Sequence, residues 1–211
     1  KYAYLGPAGT FTEAALLKIA DKSDQLTAYA NVTATLDAIR KGECQKALVP
    51  IENSVEGVVA RTLDELAIGE PLVITGEITL PVEFSLMALA GTDPKDIKAI
   101  ATHPHAESQC RTYIAKNYPN ATIIETTSTA AAAKGLIKKE YEAAIAASVA
   151  AKNYQLSIIA SDIGDNKSAV TRFVMVEKPG NIPAPTGKDR TSLAVFIAID
   201  HAGALLEILN V

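Results

Sequence analysis

Three consecutive residues, Thr171, Arg172 and Phe173, carry side chains that could act together on a small anion. They stand where a polar, turn-forming segment, residues 163–170, runs into an apolar stretch, residues 174–176, that predicts a strand. A hydroxyl can donate a proton, a guanidinium can hold a carboxylate through two hydrogen bonds, and an aromatic ring can exclude water. The residues alone leave open a structural alternative, in which the Thr favours a strand, the Arg extends off the sheet and the Phe fills the core.

Two earlier loops offer polar groups that could bind such an anion. Residues 6–9, with two glycines, link a strand predicted at 2–5 to a helix that Thr10 caps and that extends to about Ala20. Exposed N–H groups and the helix dipole favour an anion at a helix start, and glycine lets a ligand approach closely. Residues 52–54, Glu-Asn-Ser, follow another predicted strand. A tight turn and a helix-capping turn remain the alternatives for these two loops.

The order of the predicted elements indicates how these residues are positioned. Strands and helices alternate in the first third of the chain, which favours a mostly parallel sheet flanked by helices. Ligands on such sheets lie at the carboxyl ends of the strands, where both loops fall. A second series of strands and helices follows, and the strand at Thr171 then returns to the first. We therefore predict a two-lobed α/β fold with a cleft, with lobe one at about 1–78 and 161–178 and lobe two at about 79–160.

Lobe two is predicted to present polar groups of its own. His103 and His105 precede a helix that carries Gln109. A His-x-His pair can bind a metal, but without a third soft ligand nearby the spacing favours a structural role at the helix entry. Ser128 and Thr129 begin an alanine-rich helix after another strand, and their backbone could form an anion nest.

The last part of the chain is predicted to be a separate element. Residues 179–187 are rich in Pro and Gly, which is typical of a linker. Residues 191–199 predict a strand, and residues 203–209 predict a helix. The segment 188–211 is too short to bury a core of its own, so we expect it to open a further domain or to pack on something else.

Composition narrows the class of protein. The 211 residues are 48% hydrophobic, which is ample for a buried core, and the net charge of -4 comes from acidic and basic residues mixed along the chain. Without a basic block, nucleic acid is not an expected partner. Cys44 and Cys110 have no metal-ligand spacing and are expected to be buried, reduced thiols. No apolar run is long enough to cross a bilayer and no signal sequence is evident, so we expect no membrane contact and a cytoplasmic location.

Five motifs together resemble the prephenate dehydratase family, and they occur in the family's order over nearly the whole chain. They are Leu5-Gly6-Pro7-Ala8-Gly9-Thr10-Phe11, Val49-Pro50-Ile51-Glu52-Asn53-Ser54, His103-Pro104-His105-Ala106-Glu107-Ser108-Gln109-Cys110, Ser128-Thr129-Ala130-Ala131 and Thr171-Arg172-Phe173. The resemblance implies a two-lobed fold similar to type II periplasmic binding proteins, with residues 1–178 as the catalytic domain. It also implies that residues 188–211 begin a regulatory ACT domain. The family's Glu-Ser-Arg-Pro motif, associated with phenylalanine binding, has no counterpart here.

The resemblance further implies the reaction and the residues that perform it. Prephenate would lose carbon dioxide and water to give phenylpyruvate in phenylalanine biosynthesis, and no metal or organic cofactor is required. Thr171 would donate a hydrogen bond or a proton to the leaving hydroxyl, with Glu52 or water as a relay. The expected substrate-binding residues are Ala8, Gly9, Thr10, Phe11, Asn53, Ser54, Gln109, Ser128, Thr129, Arg172 and Phe173. Family members are commonly dimers or tetramers, and phenylalanine would regulate the intact protein.

Two other functions remain open at this point. The same chemistry could act on arogenate, which carries an amine in place of the keto group. Alternatively, a two-lobed fold could close on a small anion without reacting, as a binding module. The lack of an evident signal sequence and the hydroxyl donor at the predicted cleft favour an enzyme.

Overall fold

The computed structural model describes residues 1–180, 184–197, 199 and 201–210. It divides the chain into two compact units, residues 1–181 and residues 182–211. The first unit contains two β-sheets, each with its own helices, which we call lobe one and lobe two. Within the described residues, no helix has both the length and the apolar character to cross a membrane.

Lobe one is built from both ends of the first unit. Its elements are β1 (Tyr2–Leu5), α1 (Phe11–Leu16), β2 (Leu26–Tyr29), α2 (Val32–Arg40), β3 (Lys46–Asn53), β4 (Gly57–Val58), α3 (Ala60–Ala67), β5 (Val73–Pro81) and, after lobe two, β11 (Val170–Glu177). Lobe two lies between β5 and β11 in the sequence. Its elements are β6 (Phe84–Ala88), β7 (Ala99–Thr102), α4 (Pro104–Gln109), α5 (Arg111–Asn117), β8 (Thr122–Glu125), α6 (Thr129–Gly135), β9 (Ala143–Ala147), α7 (Ser148–Tyr154) and β10 (Ser157–Ala160).

The two-lobed α/β fold is confirmed, but the sheets are mixed rather than mostly parallel. Sheet one has the order β2-β1-β3-β11-β5 with β4 beside β3, and sheet two has the order β10-β6-β9-β7-β8. β1 is parallel to β2 and β3, whereas β11 is antiparallel to β3 and β5. β7 is parallel to β8 and β9, whereas β6 is antiparallel to β9 and β10. β6 and β11 enter their lobes directly from the other lobe, without a crossover helix, and they are therefore antiparallel to their neighbours.

Apolar side chains cover both faces of each sheet. In lobe one, Leu36 and Val174 belong to a cluster on one face, and Leu16 and Phe173 to a cluster on the other. This alternation follows from the two-residue period of β11, which sends Val174 and Phe173 to opposite sides. The helix after Thr10 is shorter than predicted and ends at Leu16, because the chain tightens into bonds from Lys18 to Ala15 and from Ile19 to Leu16.

The second unit contains one helix, α8 (Ala204–Leu209), among its described residues. The strand predicted at 191–199 is not formed over residues 191–197, and position 198 lies outside the described residues. A strand needs a hydrogen-bonded neighbour, and none is present in the described part of this unit. Leu193 and Phe196 are accordingly 84% and 69% exposed. The predicted helix is confirmed, and it follows Gly203, whose φ of +94° suits glycine. Part of the predicted linker, residues 181–183, also lies outside the described residues.

Candidate active site

A cavity of about 310 Å³ is lined by residues from both lobes. Helix starts and the carboxyl end of β3 line it, as the alternation of elements predicted, but so do the amino ends of β6 and β11, which run antiparallel to their neighbours. From lobe one the lining residues are Thr10, Phe11, Thr12, Pro50, Asn53, Glu56, Thr171 and Phe173. From lobe two and its connection they are Val82, Phe84, His103, His105, Ala106, Gln109, Thr127, Ser128 and Thr129. Eight of the predicted site residues therefore meet at one cavity, although they come from distant parts of the sequence.

Thr171 and Asn53 form the central polar pair of the cavity. Nδ2 of Asn53 donates to Oγ1 of Thr171 over 2.8 Å. The orientation of the Asn53 side-chain amide is fixed, because its Oδ1 accepts hydrogen bonds from the backbone N–H groups of Val55 at 2.8 Å and Glu56 at 2.9 Å. Thr171 is 8% exposed, and within residues 1–180 no group accepts a hydrogen bond from its hydroxyl. The Thr171 hydrogen is therefore available to a molecule in the cavity.

Arg172 and Glu52 do not line the cavity, contrary to the prediction for both. They are neighbours in the register of β11 and β3, where Thr171 faces Asn53 and Arg172 faces Glu52. Nη1 of Arg172 lies 3.1 Å from Glu52, and its Nε lies 3.1 Å from Glu77. Successive side chains of a strand point to opposite faces, so a Thr171 that faces the cavity turns Arg172 away from it. The arrangement makes Arg172 part of an ion-pair cluster on the far face of sheet one.

Ala8, Gly9 and Ser54 lie near the cavity but hold the walls in place instead of lining them. The Ala8 carbonyl accepts from the hydroxyl of Tyr154 in lobe two at 2.8 Å. The Gly9 N–H donates to the Glu13 carboxylate at 2.6 Å, and its φ of +93° is suited to glycine. Oγ of Ser54 accepts from the N–H of Val170 at 3.0 Å. Each of these residues thus uses one polar group for a contact within the protein.

Three helix starts meet at the cavity. Thr10 caps α1 and accepts from the N–H of Glu13, and His103 caps α4 and accepts from the N–H of His105. Ser128 caps α6 and accepts from the N–H of Ala131. Helix starts carry a partial positive charge and N–H groups without partners inside the helix. Since none of the lining residues in the described part of the chain is Lys or Arg, these helix starts are the groups that favour an anion there.

Glu56, which was not predicted, lines the cavity, and so do both histidines, for which a structural role was predicted. His103 has the predicted role at the helix entry, but it also lines the cavity beside His105, with the ring centres 4.9 Å apart. Burial, together with the nearby His105, holds the pKa of His103 below its usual value. Glu56 lies 3.3 Å from Nδ1 of His105 and accepts from Nε2 of Gln109 at 3.1 Å. The signal for Glu56 was its place three residues after Asn53, at the carboxyl end of the same strand.

Aromatic rings form the apolar side of the cavity. Phe11 and Phe84 meet edge to face with their centres 5.4 Å apart, and Phe173 is 1% exposed. Such rings exclude water from one side of a bound molecule. Among the described residues, no group of three or more His, Cys, Asp or Glu side chains is placed to hold a metal ion.

The comparisons with known proteins agree with this geometry. The family model for prephenate dehydratase matches residues 2–181. A prephenate dehydratase of Amycolatopsis methanolica is 44% identical over 100% of this chain and 68% of its own length. The crystal structure of a prephenate dehydratase of Arthrobacter aurescens in complex with L-Phe is 46% identical, with a TM-score of 0.93 over 99% of this chain and 70% of that one.

A more distant solved structure has the same fold. It is the prephenate dehydratase of Staphylococcus aureus, 25% identical, with a TM-score of 0.77 over 100% of this chain and 77% of that one. The family match covers both lobes and all the residues that line the cavity. This chain therefore belongs to the prephenate dehydratase family.

Proposed function

We propose that this chain converts prephenate to phenylpyruvate, carbon dioxide and water in the cavity between its lobes. Membership of the family supports the reaction, and the pairing of Asn53 with Thr171 is the observation that carries the assignment of the site. This pairing leaves the hydroxyl hydrogen of Thr171 without an acceptor among the described residues. The leaving hydroxyl of prephenate needs such a donor.

The reaction needs little from the protein beyond positioning and one donor. The bond between the ring and its carboxylate breaks, and its electron pair enters the ring as carbon dioxide leaves. The ring expels the hydroxyl from the opposite carbon, and a proton converts that group to water. Aromatisation drives the process, so the task is to hold the ring while both bonds break and to stabilise the departing oxygen.

Thr171 acts in this proposal as an oriented hydrogen-bond donor. An alcohol is a weak acid at neutral pH, so the proton that ends on the leaving water passes through the hydroxyl, which is reprotonated by water. Glu52, the relay suggested by the sequence, is not suitable because it lies on the far face of the sheet beside Arg172. In this proposal water supplies the proton.

The substrate carries two carboxylates, and the cavity accommodates them without a Lys or Arg side chain among its described lining residues. The start of α1 at Thr10 and the start of α6 at Ser128 and Thr129 supply N–H groups and a favourable dipole. Phe11 and Phe173 exclude water from the ring, which favours loss of carbon dioxide because charge disperses in that step. Gln109 contributes a side-chain amide from α4 of lobe two.

The direct test is to incubate the protein with prephenate and with arogenate, separately and in competition. Phenylpyruvate is followed by its absorbance in alkali, and phenylalanine formed from arogenate is followed by chromatography. We expect turnover of prephenate. Binding without turnover of either compound would favour the non-catalytic binding module, and turnover of arogenate alone would change the substrate.

We also propose how the protein is regulated and assembled, on the basis of resemblance. We expect residues 188–211 to belong to the start of an ACT domain. We also expect the protein to be cytoplasmic and to form dimers or tetramers. Phenylalanine is its expected regulator. The presence of L-Phe in the Arthrobacter aurescens structure supports the last expectation. Titration of a longer chain with phenylalanine while activity is recorded tests it.

A further inference from the structure

Glu56 connects the two lobes directly. It follows β3 in lobe one, and its carboxylate contacts two residues of α4 in lobe two. Oε1 accepts from Nε2 of Gln109 at 3.1 Å, and Oε2 lies 3.3 Å from Nδ1 of His105. Since His105 and Gln109 are four residues apart on one helix, both face Glu56 from the same side. A single carboxylate therefore spans the cavity between the lobes.

This bridge lies on the solvent side of the cavity. The side chain of Glu56 is 35% exposed and that of His105 is 65% exposed, whereas Thr171, which also lines the cavity, is 8% exposed. The bridge thus belongs to the more exposed part of the cavity lining, and Thr171 belongs to its buried part. The bridge is therefore placed to hold the lobes closed.

The bridge is also linked to the central polar pair. The N–H of Glu56 donates to Oδ1 of Asn53, and Nδ2 of the same Asn53 donates to Thr171. A movement of Glu56 toward or away from α4 acts on the amide that orients the Thr171 hydroxyl. Closure of the lobes and alignment of the donor thus share one residue.

We propose that Glu56 is a positioning residue, which bridges to Gln109 and His105 and so favours the closed arrangement in which Thr171 is aligned. This inference rests on the proposed function for its kinetic part only. The lobes keep other contacts without the bridge, because Asn153 donates to Glu13 at 2.7 Å and Tyr154 donates to Ala8 at 2.8 Å. Loss of the bridge therefore shifts the balance between open and closed lobes without separating them.

The first test measures the lobes themselves. Spin labels are attached at Asp64→Cys on α3 and Lys116→Cys on α5, both exposed, while the native Cys44 and Cys110 are buried. In Glu56→Ala we expect a broader and longer distance distribution than in the otherwise unchanged protein. The matched control is Glu107→Ala. Glu107 lies on α4, the helix that Glu56 contacts, but its carboxylate pairs with Arg111 in the same lobe. An unchanged distribution in Glu56→Ala overturns the proposal.

The second test measures catalysis with prephenate. A half-exposed carboxylate that contacts an imidazole and accepts one hydrogen bond is worth roughly a five- to tenfold change in an equilibrium, so we expect KM to rise by about that factor in Glu56→Ala, with a smaller rise in Glu56→Gln. Glu107→Ala should leave KM unchanged. A broadened distance distribution with unchanged KM would refute the positioning role, and absence of turnover in the unchanged protein would refute the proposed function while leaving the distance result valid.

Discussion

The exchange of Asn53 for aspartate tests the donor geometry with the smallest chemical change. In the present structure Oδ1 of Asn53 accepts two backbone N–H groups and Nδ2 donates to Thr171. The carboxylate introduced by this exchange would keep both backbone bonds through one oxygen. Its second oxygen would accept from the Thr171 hydroxyl, so the direction of the central hydrogen bond would be reversed.

The size of the effect follows from that reversal. A hydrogen bond to a charged group contributes about 1.5 to 3 kcal/mol, and Thr171 must give up this bond before it can donate to the substrate. Since about 1.4 kcal/mol corresponds to a tenfold change in rate, kcat should fall roughly 10- to 150-fold. The new negative charge beside an anionic substrate should raise KM in addition.

The assay compares phenylpyruvate formation by Asn53→Asp with that by the control Asn31→Asp. Asn31 makes the same type of contact, since its Oδ1 accepts from the N–H of Ala34 at 2.8 Å, but it lies at the start of α2, outside the cavity. Circular dichroism melts establish that both variants are folded. Retention of more than half of kcat in Asn53→Asp would show that the Thr171 hydrogen is not the donor in the reaction.

Three further predictions concern residues around the site. The pKa of His103 is lowered in the folded protein, so the unfolded chain takes up a proton more readily and the free energy of unfolding should fall as the pH drops below about 6.5. His103→Asn retains a capping side chain and should reduce this dependence on pH, as measured by denaturant titrations at several pH values. Burial raises the pKa of the Cys110 thiol to about 12, so thiol reagents at pH 8 should label it only after denaturation, and rapid labelling of the folded protein would be inconsistent with its position. Arg172→Met should lower the unfolding free energy by about 1 kcal/mol and change KM less than twofold, whereas a tenfold rise in KM would place Arg172 in contact with the substrate.

Most of the architecture could be predicted because it depends on patterns along the chain. The alternation of strands and helices predicted two lobes, and placing loops at the carboxyl ends of strands brought Thr10, Asn53 and Ser128 to one cavity. The antiparallel entry of β6 and β11 was not predicted, since it depends on which neighbour each strand joins. The strand predicted at 191–199 failed over residues 191–197 because strand propensity cannot supply a partner.

The predicted site residues that do not line the cavity are displaced from it for two different physical reasons. The sequence alone could have placed Arg172 and Glu52 outside the cavity. Adjacent residues of a strand face opposite ways, and Thr171 was already assigned to the cleft. Ala8 and Gly9 could not, because their partners Tyr154 and Glu13 depend on how the lobes pack. Glu56 follows the same strand as Asn53 in the sequence, but its contacts with Gln109 and His105 depend on the position of α4.

The central claim is that the hydroxyl of Thr171 delivers the hydrogen bond on which loss of water depends, and single-turnover rates with prephenate test it most directly. Thr171→Ser keeps the hydroxyl and Thr171→Val keeps the shape without it. We predict that the Ser variant retains at least about a tenth of the rate and that the Val variant loses roughly a hundredfold or more while remaining folded. A Val variant that forms phenylpyruvate as fast as the Ser variant would contradict the account.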